Sequence, residues 1–119
     1  MNLSKIEEDF LGDLAQDSHE LWEFYAFIRH HYTNSSENEI IELGRELLSV
    51  WIERGWLDAH RSRSDTTTLS GKQLVSEIEK LGQAAADPKR GTILLDLTDR
   101  ALSDVKWLKG PKERPKGSE

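Results

Sequence analysis

The feature that most constrains the fold of this chain is a helix-start signature that occurs four times. In each case a residue that can cap a helix is followed three positions later by Glu or Gln: Ser4/Glu7, Asp17/Glu20, Ser36/Glu39 and Ser70/Gln73. The cap side chain accepts a hydrogen bond from a backbone N–H that has no partner within the helix. With a Ser cap, the side chain of the later Glu or Gln can in turn accept a hydrogen bond from the backbone N–H of the serine. Because apolar residues at helical spacing follow each pair, the sequence predicts a mainly helical chain.

Five helices and two short strands are predicted from these signatures and from the apolar pattern. The helices are expected at about residues 5–15, 18–32, 37–54, 70–81 and 98–108. Segments 56–61 and 92–97 are expected to be strands that could pair in either direction. The predicted fold class is therefore mainly α, with a small two-stranded β element in a single domain over residues 1–108. The Pro/Gly/Lys-rich segment 109–119 is expected to be a disordered basic tail.

The predicted helix at 37–54 has an apolar side and an acidic side. At about 100° per residue, the apolar side includes Val50 and Trp51, and Gly44 on that side would let a second helix approach closely. The other side carries four glutamates, with one apolar residue predicted to project beside them: Glu39, Glu42, Glu46, Glu53 and Ile52. These five residues form the predicted partner-binding site. A solvated acidic face with one exposed aliphatic residue would produce the same pattern.

Composition limits the compartment and the available chemistry. The chain has no cysteine, which excludes a disulfide framework, a thiol nucleophile and a Cys-based zinc site. No apolar signal region begins the sequence and no apolar run approaches membrane-spanning length, so a cytoplasmic protein without membrane contact is expected. The four tryptophans are expected to anchor the core: Trp22, Trp51, Trp56 and Trp107.

Charge is distributed unevenly along the chain. Residues 1–60 contain 13 acids and 4 bases, whereas residues 61–119 contain 9 acids and 12 bases, for a net charge of −6. The acidic first half suits the electrostatic attraction of a basic partner, although composition drift on a solvated surface is an alternative explanation. Overall acidity makes nucleic acid an unlikely main ligand, since neutralisation of phosphates dominates that affinity.

Histidine offers the one plausible catalytic chemistry. Glu20, Glu23, His30 and His31 fall on the polar side of the second predicted helix, but their spacing matches no metal-binding motif such as HExxH. The GxSxG, GxxxxGK[ST] and GxGxxG motifs are also missing. The sequence therefore favours a non-catalytic protein with neither metal nor cofactor.

Two segments resemble parts of winged-helix domains. In Leu47–Arg61 a helix ends in a glycine and a bulky residue and a strand follows; in Ile93–Leu102 a second strand leads through Leu-Thr into a closing helix. This resemblance implies a winged-helix-like transcriptional regulator or adaptor. A DNA-reading helix would need Arg, Lys, Asn or Gln on its exposed side, where this chain has glutamates.

In size, acidity and lack of catalytic motifs the chain also resembles the immunity proteins that bacteria pair with secreted toxins. That resemblance implies an antitoxin whose acidic side chains complement the basic cleft of a nuclease toxin, which speeds association and excludes the substrate. A toxin inhibitor acting through protein–protein interaction is the favoured hypothesis, and the winged-helix regulator is the alternative.

Overall fold

A computed structural model describes residues 3–61 and 67–108. Within them five α-helices and one 3-10 helix occur, at α1 Leu3–Leu14, α2 Leu21–His31, α3 Glu37–Glu53, α4 Gly71–Leu81, the 3-10 helix Gly82–Ala86 and α5 Asp99–Asp104. The strands are β1 His19–Glu20, β2 Leu57–His60 and β3 Leu94–Leu97. The predicted mainly α class is therefore confirmed. The predicted basic tail at 109–119 lies outside the described residues.

The strands form one antiparallel sheet in the order β1-β3-β2. β2 pairs with β3 from Leu57 opposite Leu97 to His60 opposite Leu94, so the two predicted strands do pair. β1 adds a third strand on the other edge of β3, with His19 opposite Leu95. This strand was not predicted, because two residues are too short to show the alternation that indicates a strand. α4 and the 3-10 helix occupy the chain between β2 and β3.

The predicted helix starts were correct at some positions and wrong at others. Ser36 caps α3 as expected: its Oγ accepts from the Glu39 N–H at 3.2 Å, and Glu39 Oε1 accepts from the Ser36 N–H at 2.7 Å. Ser70 precedes α4, but its side chain makes no capping hydrogen bond. α1 already includes Leu3, so Ser4 lies inside the helix.

The predicted cap at Asp17 is wrong, because β1 intervenes before α2. The α2 start instead lies three residues later, where the Glu20 N–H donates to Glu23 Oε1 at 2.7 Å. Pairing with β3 holds His19 and Glu20 in extended backbone, so the helix cannot begin before Leu21. A local cap pattern was thus overridden by sheet formation.

The core is centred on Trp51, whose side chain is fully buried. Its ring stacks on Phe10 of α1, with centroids 6.2 Å apart, and meets Phe24 of α2 edge to face at 5.6 Å. Trp51 Nε1 also donates to Glu7 Oε2 at 2.8 Å, which ties α1 to α3. The expectation that all four tryptophans anchor the core is wrong: Trp107 is 47% exposed, and Trp22 and Trp56 are half-buried.

Gly44 has the predicted role in α3. A Cβ atom there would lie 2.3 Å from Tyr25 Cε1, so the missing side chain lets α2 pack closely on α3. Gly55 ends α3 in left-handed backbone (φ +79°), as expected. Its carbonyl accepts from Thr98 Oγ1 at 2.6 Å, and Thr98 in turn caps α5. α5 is shorter than predicted because Val105 leaves the helix in extended backbone and buries its side chain.

Candidate partner-binding face

The predicted glutamates lie on one exposed face of α3, which we call the acidic face: Glu39, Glu42, Glu46 and Glu53. Two of the four have partners within the protein. Glu39 is engaged in the capping box with Ser36, and Glu42 Oε1 lies 2.5 Å from Arg45 Nη2. Glu46 and Glu53 make no hydrogen bond or ion pair with any residue in the described part of the chain. The charge available to a partner is therefore concentrated in the second half of α3.

Ile52 does not belong to the acidic face, so the prediction that its side chain projects beside the glutamates is wrong. Its side chain is 4% exposed. At about 100° per residue it points roughly 100° away from Glu53, toward the side on which α4 packs. This side counts as polar in the sequence pattern, because the pattern does not give the position of α4.

Val50 is the apolar residue that accompanies the acidic face. It was assigned to the buried half of the helix, but its side chain is 40% exposed. It lies one turn from Glu46 and one turn from Glu53, so the three residues form a continuous patch. The helical wheel could have identified it, because at about 100° per residue Val50 falls within roughly 20° of Glu39.

A groove of about 500 Å³ runs between α3 and α4 beside the acidic face. Ile52 and Val75 contribute apolar groups to it, and Glu53, Lys72 and Glu79 contribute charged groups. Two of the five predicted site residues, Ile52 and Glu53, therefore line one concave surface. Ile52 contributes to that surface as a nearly buried wall.

The histidines and glutamates that the sequence places on one side of the second helix do not converge. His30 and His31 lie at the exposed C-terminal end of the helix, where the His31 ring packs on Phe27 at 4.6 Å. Glu20 and Glu23 lie at the other end, where Glu20 Oε1 accepts from Trp22 Nε1 at 2.5 Å. Within residues 3–61 and 67–108, no group of three or more histidines and carboxylates is close enough to hold a metal ion.

A polar cluster that the sequence did not indicate lies on the sheet. Asp96 of β3 accepts a hydrogen bond from Ser18 Oγ, and its other oxygen lies 2.7 Å from His60 Nδ1 on β2. Asp58 stands directly opposite Asp96 across the two strands. Partial burial raises the pKa of Asp58, and the Asp96 carboxylate raises it further. Because the aspartate lies between the serine and the histidine, this is not the hydrogen-bond order that activates a serine nucleophile.

Comparisons with family models, curated proteins and solved structures found no match to this chain. None of the helices in the described part of the protein is both long enough and apolar enough to cross a membrane.

Proposed function

We propose that this protein is a cytoplasmic, non-catalytic interaction module that binds a basic protein, and that in its most concrete form it is an immunity protein that neutralises a basic toxin. The observation that carries this proposal is the patch of Glu46, Val50 and Glu53. It combines two carboxylates that lack partners among the described residues with an exposed apolar side chain. Such a patch offers charge for recognition and apolar area for contact.

Electrostatics supports a basic partner. The first 60 residues have 13 acids against 4 bases, and the acidic face lies within them. A concentration of one sign of charge accelerates association with a partner of opposite charge and disfavours partners of like charge. If the partner is a nuclease, the same carboxylates occupy the basic surface that would otherwise bind phosphates.

The two halves of the acidic face are expected to contribute unequally. Glu39 and Glu42 already stabilise the helix through Ser36 and Arg45, so a partner must compete with those interactions. Glu46 and Glu53 need give up no such contact. The neighbouring groove, with Ile52 and Val75 in its walls, would accommodate a side chain of the partner.

Affinity purification from the native host, followed by calorimetry over a salt series, tests the proposal. We expect a basic partner whose affinity falls with salt and is weakened ~10-fold or more by Glu46→Lys combined with Glu53→Lys. Glu39→Lys should have a smaller effect on binding. Glu8→Lys on α1 combined with Asp99→Lys on α5 is the matched control, since the pair makes the same total charge change on other helices.

Unchanged affinity and unchanged salt dependence in the double variant would show that the acidic face is only a solvated surface. The alternative, a winged-helix-like regulator, predicts binding of duplex DNA that falls steeply with salt. Failure to shift duplex DNA at low salt would remove that alternative.

A further inference from the structure

A second concave surface lies between α1 and α2, away from the groove described above. This aromatic pocket has a volume of about 280 Å³, and its walls include Phe10, Asp13, His19, Trp22, Glu23 and Phe27. Four of these six side chains are aromatic rings and two are carboxylates. No lysine or arginine contributes to the lining.

The aromatic rings form a connected group. The Phe10 ring lies 5.5 Å from that of Phe27 and 5.8 Å from that of His19, measured between centroids. Trp22 contributes the largest π surface and is only half-buried. Trp and Phe rings attract cations through the negative potential of their faces, so a pocket of this composition favours a positively charged ligand over a neutral one.

The two carboxylates add the complementary charge. Glu23 Oε1 accepts from the Glu20 N–H and lies 3.7 Å from His19 Nδ1. The Glu23 carboxylate therefore has a fixed position and a second oxygen that makes no hydrogen bond or ion pair with the described residues. The Asp13 side chain is exposed and makes no hydrogen bond or ion pair with the described residues.

We propose that the aromatic pocket binds the guanidinium group of an arginine from a protein partner. A planar guanidinium can stack on aromatic rings and at the same time donate to a carboxylate at its edge, whereas the more strongly hydrated ammonium of lysine meets both demands less well. The source of the arginine rests on the proposed function, because a basic partner supplies it. The recognition chemistry rests on the pocket alone.

Titration of the full-length ¹⁵N-labelled protein with N-acetyl-arginine methylamide tests the chemistry. We expect saturable shifts of the Trp22 indole and Phe27 amide signals in the millimolar range. The citrulline analogue replaces the guanidinium by a neutral urea of nearly the same shape, so it should give no saturable shift at equal concentration.

Three variants locate the binding site. Glu23→Gln keeps an acceptor for the Glu20 N–H, Asp13→Asn changes only charge, and Phe27→Leu removes a ring. Each should weaken arginine binding by about threefold or more, in line with the modest strength of an exposed cation–π or ion-pair contact. Asp99→Asn on α5, which lies outside both concave surfaces and matches the Asp13→Asn change, is the control and should leave the titration curve unchanged. The amide spectrum of each variant checks that the fold is retained.

The outcomes separate this inference from the proposed function. Equal responses to arginine and citrulline, no saturable shift, or indifference to all three variants would overturn the arginine site. A basic partner that depends on Glu46 and Glu53 but binds equally well to Phe27→Leu and Glu23→Gln would leave the proposed function standing and remove this site. Saturable arginine binding in the titration, with no basic partner recovered from the host, would support the arginine site and contradict the proposed function.

Discussion

At the scale of single residues, the contact between Gly44 and Tyr25 sets the distance between α2 and α3. The side chain of Tyr25 is 1% exposed, so the ring has little room to move. Burial also raises the pKa of its hydroxyl far above the ordinary value, so the hydroxyl stays protonated. A Cβ atom at position 44 would overlap the ring at 2.3 Å. The absence of a side chain at this position is therefore a packing requirement.

We predict that Gly44→Ala lowers the free energy of unfolding by about 1–3 kcal/mol, since the added methyl group must displace Tyr25 or separate the helices. Gly12→Ala is the matched control: it also lies in a helix, and nothing lies within 4 Å of its added Cβ. That control should be neutral or stabilising by up to ~1 kcal/mol. Urea unfolding of both variants measures the difference, and equal effects would contradict the packing argument.

Asp58 and Asp96 face each other across β2 and β3 but differ in their surroundings. Asp96 has Ser18 and His60 as partners, whereas Asp58 has a raised pKa. A carboxylate whose pKa is higher in the folded than in the unfolded state costs stability when it is ionised. That cost is absent below the usual aspartate pKa of about 3.9 and is fully present above the folded pKa.

We therefore predict that Asp58→Asn raises the free energy of unfolding at pH 7 by a few tenths of a kcal/mol, a small gain because solvent screens a partly exposed carboxylate. The gain should shrink as the pH falls and vanish near pH 3. Asp96→Asn should instead destabilise by about 1 kcal/mol, since it weakens the contacts with Ser18 and His60. Denaturant unfolding at several pH values measures both, and a loss of stability in Asp58→Asn at pH 7 would refute the assignment.

At the scale of elements, α3 is in contact with helices on two sides. α2 packs on the side of Gly44 and α4 packs on the side of Ile52, which leaves the acidic face with Val50 in solvent. A helical wheel records the angle of each residue but not the number or direction of the neighbouring elements. For this reason the helical wheel predicts a buried Val50 and an exposed Ile52, the reverse of their positions in the structure.

Alanine substitutions at these two positions should differ sharply. Ile52→Ala is predicted to cost about 2–4 kcal/mol, because it removes buried methyl groups between α3 and α4. Val50→Ala should change the free energy of unfolding by less than ~0.5 kcal/mol, since its side chain is already 40% exposed. Similar losses in both variants, measured by urea unfolding, would show that the two sides of α3 are wrongly assigned.

At the scale of the whole molecule, a single hydrophobic cluster includes residues from all five α-helices and from β2 and β3. Trp51 lies at its centre, whereas Trp56 lies near the surface, where its Nε1 donates to Asp104 at 3.1 Å. That hydrogen bond lowers the pKa of the Asp104 carboxyl group, and the hydrogen bond and positive charge of Arg100 lower it further. The protein therefore contains tryptophan probes at two depths of one core.

We predict that unfolding is a single cooperative transition for the described domain, since no part of the cluster can open without exposing the rest. Urea curves from tryptophan fluorescence and from far-ultraviolet circular dichroism should coincide. The same should hold in a Trp56→Phe variant, where Trp51 contributes more of the signal. Separate midpoints for the two probes would indicate two independently unfolding parts.

Helix positions and ends follow largely from local sequence, as α3 demonstrates. Its start depends on Ser36 and Glu39, and its end on Gly55, all of which act on backbone groups within a few residues. Contacts between residues only a few positions apart follow from their spacing in the sequence, so the sequence alone predicts them. The acidic face was predictable for the same reason. The spacing of the four glutamates along the sequence, combined with the helical repeat, is enough to put them on one side of the helix.

The third strand, the burial of Ile52 and the aromatic pocket depend instead on contacts between distant parts of the chain. Ser18 meets Asp96 across 78 positions, and Trp51 meets Glu7 across 44. Such contacts form only when whole elements pack, and packing is decided by the summed burial of many side chains rather than by any one residue. The sequence by itself determined where the helices of this protein lie and that α3 has an acidic side. Tertiary structure decided that Val50, rather than Ile52, accompanies those acids, because only the packed positions of α2 and α4 determine which side of α3 faces solvent.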